Sequence, residues 1–278
     1  MQAVYCGKIH LTQNAFNEKT SMEIIIVSLA AFVAASLTFF SGFGLGTLLM
    51  PVVAIFVSLE VAIAITAVVH LSNNLFKLAL VGKQAARSVL ISFGIPAILF
   101  AFFGAVLLGW LSVVPALTSY TLGERELFIS PVKLTIGILI LAFLFLELTP
   151  ALSKVTIKRS YLPLGGMISG FFGGLSGHQG AFRSMFLIKA GLDKTQFIAT
   201  GITLAVMVDL ARLLVYGSSL AGQNLGGQWP LILTACGAAF LGSFMGNRLL
   251  TKLTYRSVQM VVSILLAVVA VGLIAGVV

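Results

Sequence analysis

The chain has 278 residues, of which 59% are hydrophobic and only 9% are charged, and its formal net charge is +9. Soluble domains carry roughly 25% charged residues, and a water-soluble chain could not hide this much apolar surface in one core. The composition therefore excludes an ordinary soluble protein and predicts a polytopic protein whose solvent is the lipid bilayer. The basic residues lie in short tracts between apolar runs, where they orient a membrane protein and do not indicate a nucleic-acid partner.

Motifs for metals, cofactors and nucleotides are missing from the sequence. The two cysteines, Cys6 and Cys236, form no CxxC pair or Cys/His cluster, so we expect no metal site. There is no Walker A sequence, HExxH, nucleophile elbow or dinucleotide fingerprint. We therefore expect no enzyme activity and no cofactor, and an ion gradient or the substrate's own gradient as the energy source.

The apolar segments begin after a mildly polar stretch. Residues 1–21 show no secretory signal peptide, so we expect a tail there or a working start at Met22. A spanning helix needs about 20 apolar residues. Six segments have this length: residues 60–80, 89–111, 131–149, 195–216, 230–250 and 257–277.

Two longer apolar segments, 24–57 and 161–190, are each interrupted by a cluster of glycines. The first cluster lies within residues 40–47 and the second within residues 169–180. Glycine disfavours a helix interior by about 1 kcal/mol relative to alanine. We therefore expect the backbone to unwind over both clusters.

The two broken segments open two similar halves. Ser41-Gly42-Phe43 matches Ser169-Gly170-Phe171, and residues 74–82 align without gaps to residues 209–217. We predict an internal duplication, against the alternative that apolar helices resemble one another by chance. The predicted organisation is an N-terminal tail at 1–21, a first transmembrane repeat at 22–150, a basic cytoplasmic linker at 151–160 and a second repeat at 161–278.

The basic loops distinguish two arrangements of an all-α membrane protein. If each broken segment crosses once, loop 248–256 lies opposite the basic loops 81–88 and 150–160, against the positive-inside rule. If each broken segment enters and returns as a hairpin, these three loops are cytoplasmic, and loops 112–130 and 217–229 lie outside. Each half is then a hairpin plus three crossings, so we predict two inverted repeats, as in many secondary transporters. Eight crossings with parallel repeats is the alternative.

The broken segments supply the candidate substrate site. A half-helix that begins after a break points unpaired N–H groups and its positive dipole end at that spot, which suits an anion. We expect such ends near Thr47 and Ala181, meeting near the midplane; close helix packing is the alternative role of the glycines. The candidate substrate-binding residues are Gly42, Gly44, Gly46, Thr47, Asn73, Asn74, Gly174, Ser176, Gly177, His178, Gln179, Gly180 and Arg183.

Arg183 is the strongest single candidate, because a guanidinium binds an oxyanion through two parallel hydrogen bonds. Its alternative is to extend to the cytoplasmic headgroups. Lys77 and Arg212 lie near predicted helix ends, and we expect both side chains to extend to the headgroups. Asn73 and Asn74 are candidates for amide donors to a substrate or for hydrogen bonds between helices.

Three residues are candidates for coupling a proton to transport: His70, His178 and Asp209. Histidine ordinarily titrates near neutral pH, and a structural hydrogen bond is the alternative role of each histidine. Asp209 and Arg212 are three residues apart on one helical face, so a plain ion pair is the alternative role of Asp209.

The sequence resembles the sulfite exporter family, TauE/SafE, over roughly residues 22–278. The glycine run and proline of residues 41–51 resemble the family's first motif, and residues 165–183 resemble a variant of its second motif. The second half lacks the compact three-glycine run with a following proline and carries the polar pair His178-Gln179 instead. The resemblance implies export of sulfite or of a related sulfur compound such as a sulfonate or thiosulfate.

These features predict a secondary transporter of a small anion that works by alternating access in a bacterial-type inner membrane. A membrane-embedded enzyme or maturation factor that uses His178 and Arg183 is the alternative. A passive channel ranks lower, because a continuous polar stripe is missing. The expected partners are a small anionic substrate and the lipid bilayer, and homo-oligomerisation stays open.

Overall fold

Helices make up almost all of the computed structural model, which describes residues 20–38, 44–123, 125–149, 157–220, 225–249 and 255–277. The helices within these ranges are α1 (Thr20–Thr38), α2 (Leu45–Val53), α3 (Leu59–Val81), α4 (Arg87–Val113), α5 (Pro131–Leu148), α6 (Leu162–Ser176), α7 (Gly180–Leu187), α8 (Lys194–Leu220), α9 (Trp229–Leu249) and α10 (Tyr255–Ile274). One antiparallel hairpin joins β1 (Thr118–Leu122) to β2 (Arg125–Ile129). Single turns of 3₁₀-helix lie at Gly82–Gln84, Arg159–Tyr161 and Leu225–Gln228, and α4 contains a π-helical stretch at Leu90–Gly94.

Five of the described helices are long and apolar enough to cross a membrane by length and composition: Thr20–Thr38, Leu59–Ala79, Arg87–Val113, Lys194–Gly217 and Trp229–Gly246. Two shorter apolar stretches lie at Pro131–Leu146 and Ser263–Ile274. The six unbroken segments expected from the sequence all coincide with helices. The prediction of an all-α polytopic membrane protein is confirmed, and the β-hairpin within loop 112–130 is an addition to it.

The second glycine cluster is mostly helical, so the expected unwinding over its whole length is wrong. Helix α6 continues to Ser176, and its backbone leaves the helix at Gly177, which has a left-handed φ of 81°. The glycines at 166, 170 and 174 instead face the backbone of Phe93, Ala97 and Ala101 in α4. Because they have no side chain, the two helices approach closely, as small residues allow in membranes.

Helix α7 turns back along α6. Phe186 packs against Gly165, the rings of Phe172 and Phe182 stack with centroids 5.2 Å apart, and Ser169 Oγ donates to the carbonyl of Gln179 at 3.1 Å. The turn between α6 and α7 is short, and the end of α7 lies back beside the start of α6, so this pair is an antiparallel helical hairpin. The corresponding break of the first half, including Gly42, falls in residues 39–43, which lie outside the described residues.

The first helix of each half packs parallel to a long helix of the other half. Helix α6 lies along α4, and α1 lies along α9, where Phe32 and Ser36 approach the glycines at 242 and 246. Ser36 Oγ also donates to the carbonyl of Gly242 at 3.0 Å. The half-helices begin 135 residues apart, at Leu45 and Gly180, and so do α3 and α8, at Leu59 and Lys194. The two halves therefore share element spacing as well as packing pattern.

Basic residues gather at one end of the bundle, which we call the basic face: Lys83, Arg87, Lys158, Arg159, Lys189 and Lys194. Contacts there tie the loops together: Arg159 Nη2 donates to Ser88 Oγ at 3.2 Å, and the Ala86 N–H donates to Thr200 Oγ1 at 2.9 Å. At the other end of the bundle, which we call the hairpin face, the β-hairpin lies with the C-terminal residues, and Tyr120 Oη donates to the carbonyl of Ala275 at 2.6 Å. Inverted repeats put these two segments on one side of the membrane, whereas eight crossings would separate them.

Cysteine labelling tests which side each face occupies. In a protein with Cys6 and Cys236 replaced by serine, Thr121→Cys on the hairpin and Gln84→Cys at the basic face are both exposed. A membrane-impermeant maleimide added outside intact cells should label Thr121→Cys and leave Gln84→Cys unlabelled until the membrane is permeabilised, because basic loops stay in the cytoplasm. Labelling of both residues from outside would contradict the inverted arrangement.

Candidate functional site

A cavity of about 80 Å³ lies between α1, the start of α2, and helices α3, α7 and α8. One water needs about 10–15 Å³ by this measure, so the cavity has room for several waters or one small oxyanion. Its polar lining is formed by Thr38, His70, Asn74, Lys77, Arg183 and Ser184. Its remaining lining is formed by Gly44, Leu45, Leu187, Phe197, Ile198, Gly201 and Ile202.

The cavity extends toward the basic face. Its lining residues on α3 extend from His70 to Lys77, and that helix ends at the basic face. Its lining residues on α8 lie at 197–202, just after that helix begins at the same face. No described residue from the hairpin face lines it.

Two cations, Lys77 and Arg183, line this cavity together, and none of the described residues that line it is acidic. Lys77 is only 6% exposed, and the Arg183 side chain lies beside Gly201, with its Nε 3.6 Å from where a Cβ would stand. Like charges in a poorly screened interior repel each other. An anion that enters the cavity therefore gains from both groups.

A buried ionic cluster lies beside the cavity and joins the two halves. His70 Nδ1 of α3 lies 2.5 Å from Asp209 Oδ2 of α8, and Asp209 Oδ1 accepts from Arg212 Nε at 3.0 Å and lies 2.8 Å from Arg212 Nη2. Asn74 Nδ2 lies 3.2 Å from Nε2 of His70. The ion pair that the spacing of Asp209 and Arg212 suggested is thus present, and His70 supplies the contact between halves.

Gln179 lies between this cluster and the cavity arginine. Its Nε2 donates to Asp209 Oδ1 at 3.5 Å, and its Oε1 accepts from Arg183 Nη1 at 3.5 Å. It is almost completely buried and does not line the cavity. The structure therefore gives it contact with Arg183 and not with the space that a substrate would fill.

The expectation that Lys77 and Arg212 extend to the headgroups is wrong, because both side chains are buried within the protein. With its amide oxygen turned toward Lys77, Asn73 accepts from Nζ at 3.2 Å and donates to Ser243 Oγ at 2.7 Å. Arg212 Nη1 donates to the carbonyl of Gly173 at 3.5 Å, at the end of α6. A cation there is favourable, because a helix C-terminus carries partial negative charge.

The residues of the second break do not line the cavity. His178 Nδ1 lies 3.1 Å from both the carbonyl and the Oγ of Ser176, and its ring stacks on Phe143. Gly177 needs its left-handed conformation, and a Cβ there would lie 2.8 Å from Arg212 Nη1. Gly174 packs against α4 and accepts a hydrogen bond from the hydroxyl of Tyr216. Gly180 starts α7, which reaches the cavity one turn later through Arg183.

Of the two half-helix ends expected to meet, only the first lies at the cavity. Gly44 and Leu45 line it, and Gly46 lies against His70. The N–H of Thr47 is taken by the carbonyl of Gly44 at 3.0 Å, and its side chain is buried. The second half contributes the side of α7 instead.

Sequence reasoning missed the α8 wall of the cavity and Ser184. Phe197, Ile198, Gly201 and Ile202 are ordinary residues of an apolar helix, and nothing in their types marks a site. The missed role of Lys77 had a signal, since it aligns with Arg212 in the repeat. A cation at matching intramembrane positions of both halves points to a shared role inside the protein, and not to two side chains that both extend to the headgroups.

Replacing Asp209 should destabilise the protein strongly. Asp209→Asn leaves Arg212 buried without its counter-charge, which costs about 3–5 kcal/mol in buried pairs, so we expect a clearly lower melting temperature in detergent. The double variant Asp209→Asn with Arg212→Gln should recover part of this loss, because no lone charge remains. Equal melting temperatures of the single variant and the unmodified protein would contradict the role of this pair.

One family profile, described as sulfite exporter TauE/SafE, matches residues 27–273 and therefore nearly the whole chain. Neither a curated protein nor a solved structure matches the chain significantly.

Proposed function

Because the chain belongs to the sulfite exporter TauE/SafE family and is thus a multi-pass membrane transporter of sulfite or related anions, we propose that it binds its anion in the cavity at the basic face. The observation that carries this proposal is the pair of cations, Lys77 and Arg183, in one small cavity whose described lining contains no carboxylate. The guanidinium provides two parallel hydrogen bonds and the ammonium a compact charge. Asn74 and Ser184 add neutral donors.

Transport by alternating access of inverted halves is part of this proposal. It is supported by the equal spacing of the half-helices, by the α6–α4 and α1–α9 pairs, and by the cavity that extends to one face only. Arrangements of this kind place the substrate between repeats and move one repeat against the other. The β-hairpin beside the C-terminal residues supports the same topology.

Anion flux tests the binding site. Sulfite flux into proteoliposomes should saturate, and Arg183→Ala should raise its KM about ten- to a hundredfold, because a charged hydrogen bond contributes about 1.5–3 kcal/mol. Lys189→Ala, which removes an exposed cation at the same face, should leave the KM unchanged.

Equal KM values for Arg183→Ala and the unmodified protein would contradict the site. Absence of sulfite flux in the folded, reconstituted protein would reject sulfite and direct the assay to sulfonates and thiosulfate. Turnover of a substrate by the protein in detergent would instead favour the enzyme alternative. That alternative is weakened by the separation of His178, which packs on Phe143, from Arg183, which lines the cavity.

We also propose that His70 and Asp209 couple a proton to anion movement. His70 both lines the cavity and touches Asp209 across the two halves, so this one side chain contacts both the space for the anion and the buried carboxylate. His178 is separated from the cavity and is a weaker candidate.

Gradient dependence distinguishes the two histidines. We expect sulfite flux to change with an imposed pH gradient in the unmodified protein and in His178→Gln. His70→Gln should retain flux and lose the dependence on the gradient, because glutamine keeps a hydrogen bond but carries no proton charge. A gradient dependence that survives in His70→Gln would contradict the assignment.

A further inference from the structure

The two half-helices begin 135 residues apart, and so do α3 and α8. Adding or subtracting 135 therefore relates each cavity residue to a counterpart in the other half. On α3, Asn74 and Lys77 line the cavity. Their counterparts on α8 are Asp209 and Arg212, which are buried and paired with each other. The same two helix positions therefore face an open space in one half and a closed ionic cluster in the other.

Three further counterparts are closely packed in this conformation. Leu48 corresponds to Arg183, Ala62 to Phe197 and Thr66 to Gly201, and each is less than 9% exposed. Thr66 Oγ1 is buried and has no hydrogen-bond partner within the described residues. A hydroxyl without a partner is costly in a permanently closed core, but it would be satisfied by water in a path that opens in another state.

Arg212 is already occupied by protein groups in this conformation. Its guanidinium pairs with Asp209 and reaches the carbonyl of Gly173, while Tyr216 donates to the carbonyl of Gly174. The carboxylate of Asp209 thus takes the place, on Arg212, that an oxyanion would take. An ion pair of this kind opens when a mobile anion takes the place of the aspartate carboxylate on the arginine.

We propose that Thr66, Ala62, Leu48 and Arg212 line a second access path, closed here, which opens to the hairpin face, and that Arg212 holds the transported oxyanion there in exchange for Asp209. This inference rests on the proposed transport function and adds the path and its anion ligand.

The charges of the two paths differ in a way that favours release at the hairpin face. The open cavity offers Lys77 and Arg183 with no acidic residue in its described lining. The counterpart path has Leu48 in place of Arg183, and its one cation, Arg212, is contested by Asp209. An anion is therefore held more weakly at the hairpin face, which suits uptake from the cytoplasm and release outside.

Cysteine accessibility in sealed vesicles of known orientation tests the path. In the background without Cys6 and Cys236, an impermeant thiol reagent should modify Ser184→Cys from the basic face and Thr66→Cys from the hairpin face. Ile140→Cys, which is buried in α5 and belongs to neither path, should stay unmodified. Modification is done before sulfite is added, because sulfite consumes thiol reagents.

A sided kinetic measurement tests Arg212. Arg212→Lys keeps the charge beside Asp209 but loses the two-pronged hydrogen bond. We expect the KM for sulfite entering from the hairpin face to rise about tenfold, while the KM from the basic face stays unchanged. A merely structural role would change both sides alike.

The outcomes separate the inference from the proposed function. Absence of flux of sulfite, sulfonates and thiosulfate alike in the unmodified protein contradicts the proposed function, whatever the labelling. Flux that persists while Thr66→Cys and Ala62→Cys are both unmodified from the hairpin face, with Ser184→Cys modified from the basic face, overturns the second path. An equal KM change on both sides overturns the role of Arg212.

Discussion

The carboxylate of Asp209 is the group on which the centre of the bundle depends. A charge inside a membrane protein is tolerated when partners surround it, and Asp209 has an ion-pair partner in each half, His70 and Arg212. Arg212 in turn satisfies a carbonyl at the end of α6, where the second segment breaks. One buried carboxylate therefore connects the contact between halves to the geometry of the helix break.

This pairing also determines which positive charges face the cavity. Arg212 is occupied by Asp209 and the carbonyl of Gly173, whereas Lys77 and Arg183 border a space without an acidic side chain in its described lining. Gln179 touches both Asp209 and Arg183, so the cluster and the cavity share a hydrogen-bonded partner. The distribution of charge, more than the number of basic residues, distinguishes the site from its counterpart in the other half.

The glycines serve two different purposes that their number in the sequence does not reveal. Those at 166, 170 and 174 allow α6 to lie against the backbone of α4 and leave the helix intact. Gly177 alone supplies the left-handed backbone that ends α6, and the space above it holds Arg212. The spacing of four residues between these glycines indicates close helix packing. The expectation of unwinding considered only how many glycines lie close together in the sequence.

The sequence by itself determined the all-α membrane class, the six unbroken helices, the family and the pairing of Asp209 with Arg212. The class, the helices and the pairing follow from composition, apolar run length and residues close together on one helix, and the family follows from the resemblance of the glycine motifs. All of these can be read from the chain without its tertiary contacts. Only the tertiary structure decided that Lys77 faces a cavity, that His178 packs on Phe143 away from it, and that α8 supplies a wall with no marked residues. Those facts depend on which helix faces lie opposite one another, and two helices far apart in sequence meet only after the chain has folded.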